Sequence, residues 1–284
     1  DLAQPTSPEG EIVTYAGTGS PRFKGDGGPA LEAGFFAPAG VALDTEGNLY
    51  ISSDKRIRRV EAATGIITTL AGGGSSFTIG DDGPAVKAGF RETRGLTVDR
   101  SGNVFIVDNG TGRIRKVDAA TGLITTVAGG GKGDPIERIF GDGGPATEAL
   151  IRLPDDVDVD GAGNLFIATD NSVRKVDSAT GIITSIAGTG ERGLSGDGGP
   201  AAIAKLAEPR NVAVDNTGNV FIVDSDNHRV RKVDNATGMI TTFAGIGKHF
   251  ERGVNFRLAS AQAKEYSSDR IGSEATGAGY SGDG

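Results

Sequence analysis

The 284-residue sequence contains no cysteine and only two histidines. Without thiols there is no disulfide, no zinc-thiolate centre and no thiol nucleophile, and two imidazoles cannot supply a multi-histidine metal site. No apolar stretch approaches the roughly eighteen residues of a membrane-spanning helix. The formal charge is -8 and the basic residues are scattered, which argues against nucleic acid as a partner. The chain opens on Asp1-Leu2-Ala3-Gln4-Pro5 without an initiator Met. Removal of a signal peptide would leave such a start, as would trimming.

What the sequence has in excess is glycine: 47 of 284 residues, about 17% against a usual level of roughly 7%. No G-X-Y triplet runs through it, so collagen is excluded. Apolar side chains make up 37% and charged ones 23%, enough for a core. The glycines therefore read as punctuation between many short elements rather than as disorder.

The punctuation is periodic. The stretch from Gly40 to Gly72 returns from Gly95 to Gly129, and twice more beginning at Asp156 and Asn211. Between copies runs GDGGPA, starting at Gly25, Gly141 and Gly196, with GDDGPA at Gly80 and a truncated GDG at Gly282. Equivalent positions Pro38, Thr93, Pro154 and Pro209 are separated by 55, 61 and 55 residues, the size of one propeller blade with a long connection.

Each copy predicts four strands. GVALD and its counterparts form the first, and NLYISSD, NVFIVDN, NLFIATD or NVFIVDS the second; both alternate in the manner of pleated strands. The third alternates basic and β-branched residues and should have one polar face, as in RIRKVD; the fourth is rich in Ile and Thr. D-x-x-G-N joins the first two strands, with Asp starting the turn by bonding its own backbone and Gly at the positive-φ position, and A-T-G joins the last two in a turn of constant length. The expected fold is all-β: a propeller of four-stranded antiparallel blades. GDGGPA reads as a one- to two-turn helix covering the gap between blades, its Asp26, Asp142 and Asp197 bonding loop amides rather than a metal.

These residues resemble long bacterial-type NHL repeats. The match is strongest from Pro209 to Gly245, where Asn227-His228-Arg229 stands at the name-giving tripeptide, and it covers roughly Gly10 to Gly247. The resemblance implies extracellular, periplasmic or regulatory interaction domains, with lyases and lactonases among the relatives. It also implies a ring of about six blades. Here GEIVTYAG (10–17) reads as an orphan outer strand, and the tail after Gly245 carries no further strand motif. The expected organisation is 1–24 as a partial blade and connection, blades at about 25–72, 80–129, 141–188 and 196–245, and an atypical tail over 248–284. The ring is expected to be incomplete, open or truncated, with edges capable of self-association.

Loops between strands two and three and between blades share one face, and there the copies differ; variable loops on a rigid scaffold are where binding resides. This face should carry Asp54, Asp108, Asp170 and Asp224, each ending a second strand, with Asn109, Asp226, Asn227 and His228 beside them. The carboxylates, Asp108 and Asp224 above all, could hold Ca²⁺. The structural alternative, preferred here, pairs each Asp with Arg58, Arg115, Arg174 or Arg231 of the adjacent third strand. His228 reads as a packing residue, as the resemblance implies. Asp158 replaces the Ala of Ala42 and Ala213 and is the axial candidate. No Ser-His-Asp or paired-acid signature is present. The preferred function is a non-catalytic scaffold outside the cytoplasm, binding a protein or glycan on the loop face. The alternative is a metal-dependent lyase or hydrolase with Ca²⁺ in the central channel.

Overall fold

The structure, a computed structural model, describes residues 12–75, 79–132 and 141–246. The chain divides into Asp1–Lys248 and His249–Gly284. The second unit, and with it nearly all of the expected tail over 248–284, lies outside the described residues, as does the start of the expected N-terminal strand.

Four antiparallel sheets follow one another along the first unit. Blade 1 contains Gly40–Leu43, Leu49–Ser53, Arg56–Val60 and Ile66–Ala71; blade 2 contains Thr93–Val98, Val104–Asp108, Arg113–Val117 and Leu123–Gly129. Blade 3 contains Asp156–Val159, Leu165–Ala168, Val173–Val176 and Ile183–Ala187; blade 4 contains Pro209–Val214, Val220–Asp224, Arg229–Val233 and Met239–Ala244. Strand order in every blade is sequential, and each strand pairs with the next.

The turns form as their residues dictate. In blade 1 the Asp44 carboxylate accepts the N–H groups of Glu46 (3.0 Å) and Asn48 (2.9 Å) and the Asn48 amide (2.8 Å), while Gly47 takes φ +81°. Asn48 Oδ1 then accepts the N–H of Ala62 at 2.9 Å, tying the first turn to the one between strands three and four. Asn103, Asn164 and Asn219 make the same bond to Ala119, Ser178 and Asn235. One Asx motif thus fixes two turns at the same end of each blade.

Blades pack face to face through apolar layers. Tyr50, Ile57 and Ala71 of blade 1 meet Leu96, Val104 and Ile106 of blade 2, with Ala85, Ala88 and Phe90 between them. Equivalent layers join blade 2 to blade 3 and blade 3 to blade 4. The sheets do not close into a ring. Val41 and Leu43 of blade 1 are 67% and 63% exposed, whereas their counterparts Leu96, Val157 and Val212 are buried against the preceding blade. Phe243 of blade 4 is 63% exposed on the opposite side of the array, where it packs edge-on against Phe221.

Three sequence expectations change. The connector is shorter than a one- to two-turn α-helix: Gly28–Pro29 adds a two-residue strand to the fourth strand of blade 1, and Ala30–Glu32 forms a single 3₁₀ turn. A helix cannot lengthen there because Ala33 returns to extended backbone after one turn. Among the described residues the expected orphan strand makes no ladder over Ile12–Ala16; the N–H groups of Gly17 and Thr18 dock on the carbonyls of Ala30 and Ala33. The polar face expected of the third strand is in part an interior one. Arg58, Arg115, Arg174 and Arg231 are 0–2% exposed.

Those arginines explain the GDG motif. Arg58 Nε and Nη2 donate to Asp26 Oδ1 at 3.0 and 2.7 Å, and its remaining donors reach the carbonyls of Gly34 and Lys24. Asp26 Oδ2 accepts the Thr69 hydroxyl at 2.5 Å. Asp142 and Asp197 hold Arg174 and Arg231 in the same way, and Asp81 holds Arg115. The connector acid therefore bonds a buried guanidinium rather than loop amides. The pairing expected of the acids ending the second strands is made by the connector acids instead, except in blade 4, where Asp224 also lies 3.8 Å from Arg231.

Candidate functional site

The first strands of all four blades line an open groove of about 1090 Å³. Its apolar wall includes Val41, Leu43, Leu96 and Val98, and its rim carries Asp54, Lys55, Arg91, Glu92, Arg94 and Arg210. The rim is built where each chain segment enters its first strand. Ala37, Leu153 and Glu208, the residues before Pro38, Pro154 and Pro209, all have positive φ, at 46°, 44° and 48°. That region is uncommon for residues with a Cβ and marks stored backbone strain. Each entry loop is bonded to the loop after the second strand: Asp54 N–H to the Phe36 carbonyl (3.1 Å), Asn109 to Glu92 (2.9 Å), and Asp170 to Arg152 (3.2 Å). In blade 4 Ser225 approaches Glu208 at 3.4 Å.

The loop-face residues separate into two groups. Asp108 is buried; Oδ1 accepts the N–H groups of Arg91 and Glu92 at 3.1 and 3.3 Å, and Oδ2 accepts the Thr111 hydroxyl at 2.7 Å. Asp224 is also buried, accepting from Ala207 N–H (2.7 Å) and the Asn227 amide (2.8 Å). Burial raises the Asp224 carboxyl above the usual carboxylate range, against the lowering effect of those bonds and of Arg231. Asn109 is buried and donates to the Pro154 carbonyl at 2.9 Å. These three side chains are turned into the loops they stabilise.

The others stand nearer solvent. Asp54, at φ +52°, pairs with Arg56 at 3.2 Å, and Asp226 pairs with Arg192. Asp170 is half-buried. Asn227 also donates to the Gly193 carbonyl at 2.8 Å. His228 is exposed and holds φ +53°, the left-handed position that Gly112 occupies in blade 2. Its place in the motif is thus a backbone one, closing a 3₁₀ turn.

Calcium does not fit this donor set. Asp108 and Asp224 stand two blades apart, and each already accepts N–H or O–H donors on both carboxylate oxygens. Among the described residues no three His, Cys, Asp or Glu side chains cluster as metal ligands.

Asp158 does line the groove, and it stitches three blades together. Oδ1 accepts the Thr97 hydroxyl of blade 2 at 3.1 Å, and Oδ2 accepts the Val214 N–H of blade 4 at 2.8 Å. Asp156, two residues earlier on the same face, accepts the N–H of Val212 at 3.2 Å and the Asn211 amide at 3.3 Å. Burial pushes its carboxyl up to about 6, with a further upward push from Asp158. Asp155 pairs with Arg94, which also meets Glu92. The sequence marked Asp158 by its departure from Ala42 and Ala213; the same comparison at Gly40, Gly95 and Asn211 would have marked Asp156.

The family profile of the Teneurin NHL domain matches residues 7–78 and 189–255. Teneurin-1 of Gallus gallus is 27% identical over 72% of this chain and 8% of its own length. NHL repeat-containing protein 2 of Homo sapiens is 26% identical over 68% of this chain and 27% of its own length. The chain thus spans a minor part of the curated relatives it matches. A solved nidogen/laminin complex shares the fold at TM-score 0.51 and 16% identity, over 73% of this chain and 65% of that one. Repeated turns, successive antiparallel sheets with four long strands each and these relatives together give the chain a β-propeller fold similar to that of NHL-repeat proteins.

Proposed function

We propose that the chain is a non-catalytic scaffold that binds a protein partner on its loop face, across the rim of the axial groove. The observation that carries this reading is the composition of the rim. Exposed apolar side chains at Phe36 (54%) and Leu153 (56%) stand among charged residues of both signs on strained, mutually bonded loops. Aromatic and aliphatic anchors inside a polar rim are the pattern of protein interfaces. In the groove itself, Asp156 and Asp158 accept backbone amides of the next blade and Asp155 pairs with Arg94, bonds that hold the blades together. The nidogen/laminin structure, similar in fold, is by its description a complex of two proteins. The same proposal puts the chain outside the cytoplasm, in line with the family resemblance.

The test is binding of the purified chain to arrays of extracellular-matrix and cell-surface proteins, with a glycan array in parallel. Phe36→Ala and Leu153→Ala should each weaken a protein hit by about tenfold or more, as truncation of an interface anchor does. Thr45→Ala and Thr217→Ala, in turns at the other end of the blades, should leave it unchanged. Binding lost only through the latter pair, or binding to glycans alone, overturns the reading.

A further inference from the structure

We infer that Asp82-Gly83 is a modification site, at which the main chain isomerises through a succinimide to isoaspartate. The Gly83 nitrogen attacks Cγ of the protonated Asp82 carboxyl, a C–N bond forms, and water leaves. Water then reopens the five-membered ring at either carbonyl, giving back aspartate or giving isoaspartate, whose main chain runs through Cβ. Nothing but water is consumed or released.

Asp-Gly steps recur in this chain, but their carboxyls are held. Asp26, Asp142 and Asp197 each give one oxygen to a buried arginine and the other to Thr69 Oγ1, Ser185 N–H or Thr242 Oγ1. Asp160, before Gly161, accepts from Ala162 and Asn164. Swinging Cγ onto the next nitrogen would break those bonds. In the second connector the sequence reads GDDGPA, and the arginine takes the first acid, Asp81. Asp82 is displaced into the place that Gly27, Gly143 and Gly198 occupy in the other connectors. It is exposed, it holds φ +63°, and among the described residues its carboxyl makes no hydrogen bond or ion pair.

The attacking nitrogen is also more weakly held. Gly83 N–H reaches the Gly80 carbonyl at 3.4 Å, whereas the nitrogens that follow Asp26, Asp142 and Asp197, those of Gly27, Gly143 and Gly198, each donate to a fourth-strand carbonyl, of Ile67, Ile183 and Ile240, at 2.8 Å. The latch beside it is thin as well. Arg115 is fully buried, yet its Nε and Nη1 have no partner, whereas Arg58 and Arg231 use all three nitrogens. An extra main-chain carbon at position 82 would loosen the Asp81–Arg115 pair and the pairing of Gly83 with Ile124.

The full chain is aged at physiological temperature and pH, then mapped by mass spectrometry with electron-transfer fragmentation, using an L-isoaspartyl methyltransferase as the probe. Isoaspartate should accumulate at residue 82 while Asp26, Asp142 and Asp197 stay unmodified, and urea-unfolded chain should modify all four. Asp82→Gly restores the sequence of the other connectors, should fold, and should remove the signal. Equal accumulation at the four sites in folded protein overturns the inference. So does none at Asp82 over a period in which unfolded chain reacts.

Discussion

Buried arginines and carboxylates carry the largest single-residue stakes. Arg174 is 2% exposed, and its buried guanidinium pairs with the Asp142 carboxylate. Removing one partner of a buried pair leaves the other uncompensated, a cost of several kcal/mol. Because Asp142 is itself partly exposed, Asp142→Ala should cost about 2–3 kcal/mol in urea unfolding, toward or below the low end of that range. Asp156 sets a pH dependence of the opposite kind from a salt-bridged acid. Burial raises its carboxyl to about 6 in the folded chain, from 3.8. Folding therefore takes up a proton between those values. The stability it contributes is full below about pH 4 and is lost as pH rises through about 6. Thermal melts across that window should show this slope in the native chain and its loss in Asp156→Asn; identical profiles would contradict the assignment. These roles were poorly legible in the sequence. Asp26 lies 32 residues from Arg58, whereas Asp54 lies beside it, so proximity along the chain pointed to the wrong acid.

At the scale of the element, local sequence sufficed. D-x-x-G-N and A-T-G locate every hairpin because an Asx turn needs only its own four or five residues. The structure adds that the Asn of the first turn carries the second. Asn164→Ala would leave the Ser178 N–H and the second lone pairs of Asp160 unpaired. The expected cost is about 1–3 kcal/mol, read by denaturant unfolding, with the largest change in hydrogen exchange confined to that end of blade 3. The connector was less legible. Ala30 and Ala33 look helical in spacing, but Gly28–Pro29 is captured as a strand by the fourth strand of its own blade. That ladder, a tertiary contact, cuts the helix to one turn.

For the whole first unit, blades 1 to 3 each bury a face that blade 4 leaves open. Phe221, Val223, Val230 and Phe243 stand where Tyr50, Ser52, Ile57 and Leu70 stand in blade 1, and Phe243 and Val223 are exposed. Apolar patches of this sort promote association. Phe243→Glu should lower the concentration-dependent mass seen by light scattering while leaving the melt of the other blades unchanged. A native chain that remains monodisperse at every concentration would count against that role for the face.

The sequence alone determined the repeat, the four long strands of each blade and the turns between them, because each depends on residues near one another in the chain and each was written four times. Only the tertiary structure decided which acid neutralises each buried arginine, that Asp108 and Asp224 face inward, and that Asp156 and Asp158 stitch neighbouring blades to one another. Those outcomes depend on which backbone donors arrive beside a carboxylate once the blades have packed, and that proximity has no local signature.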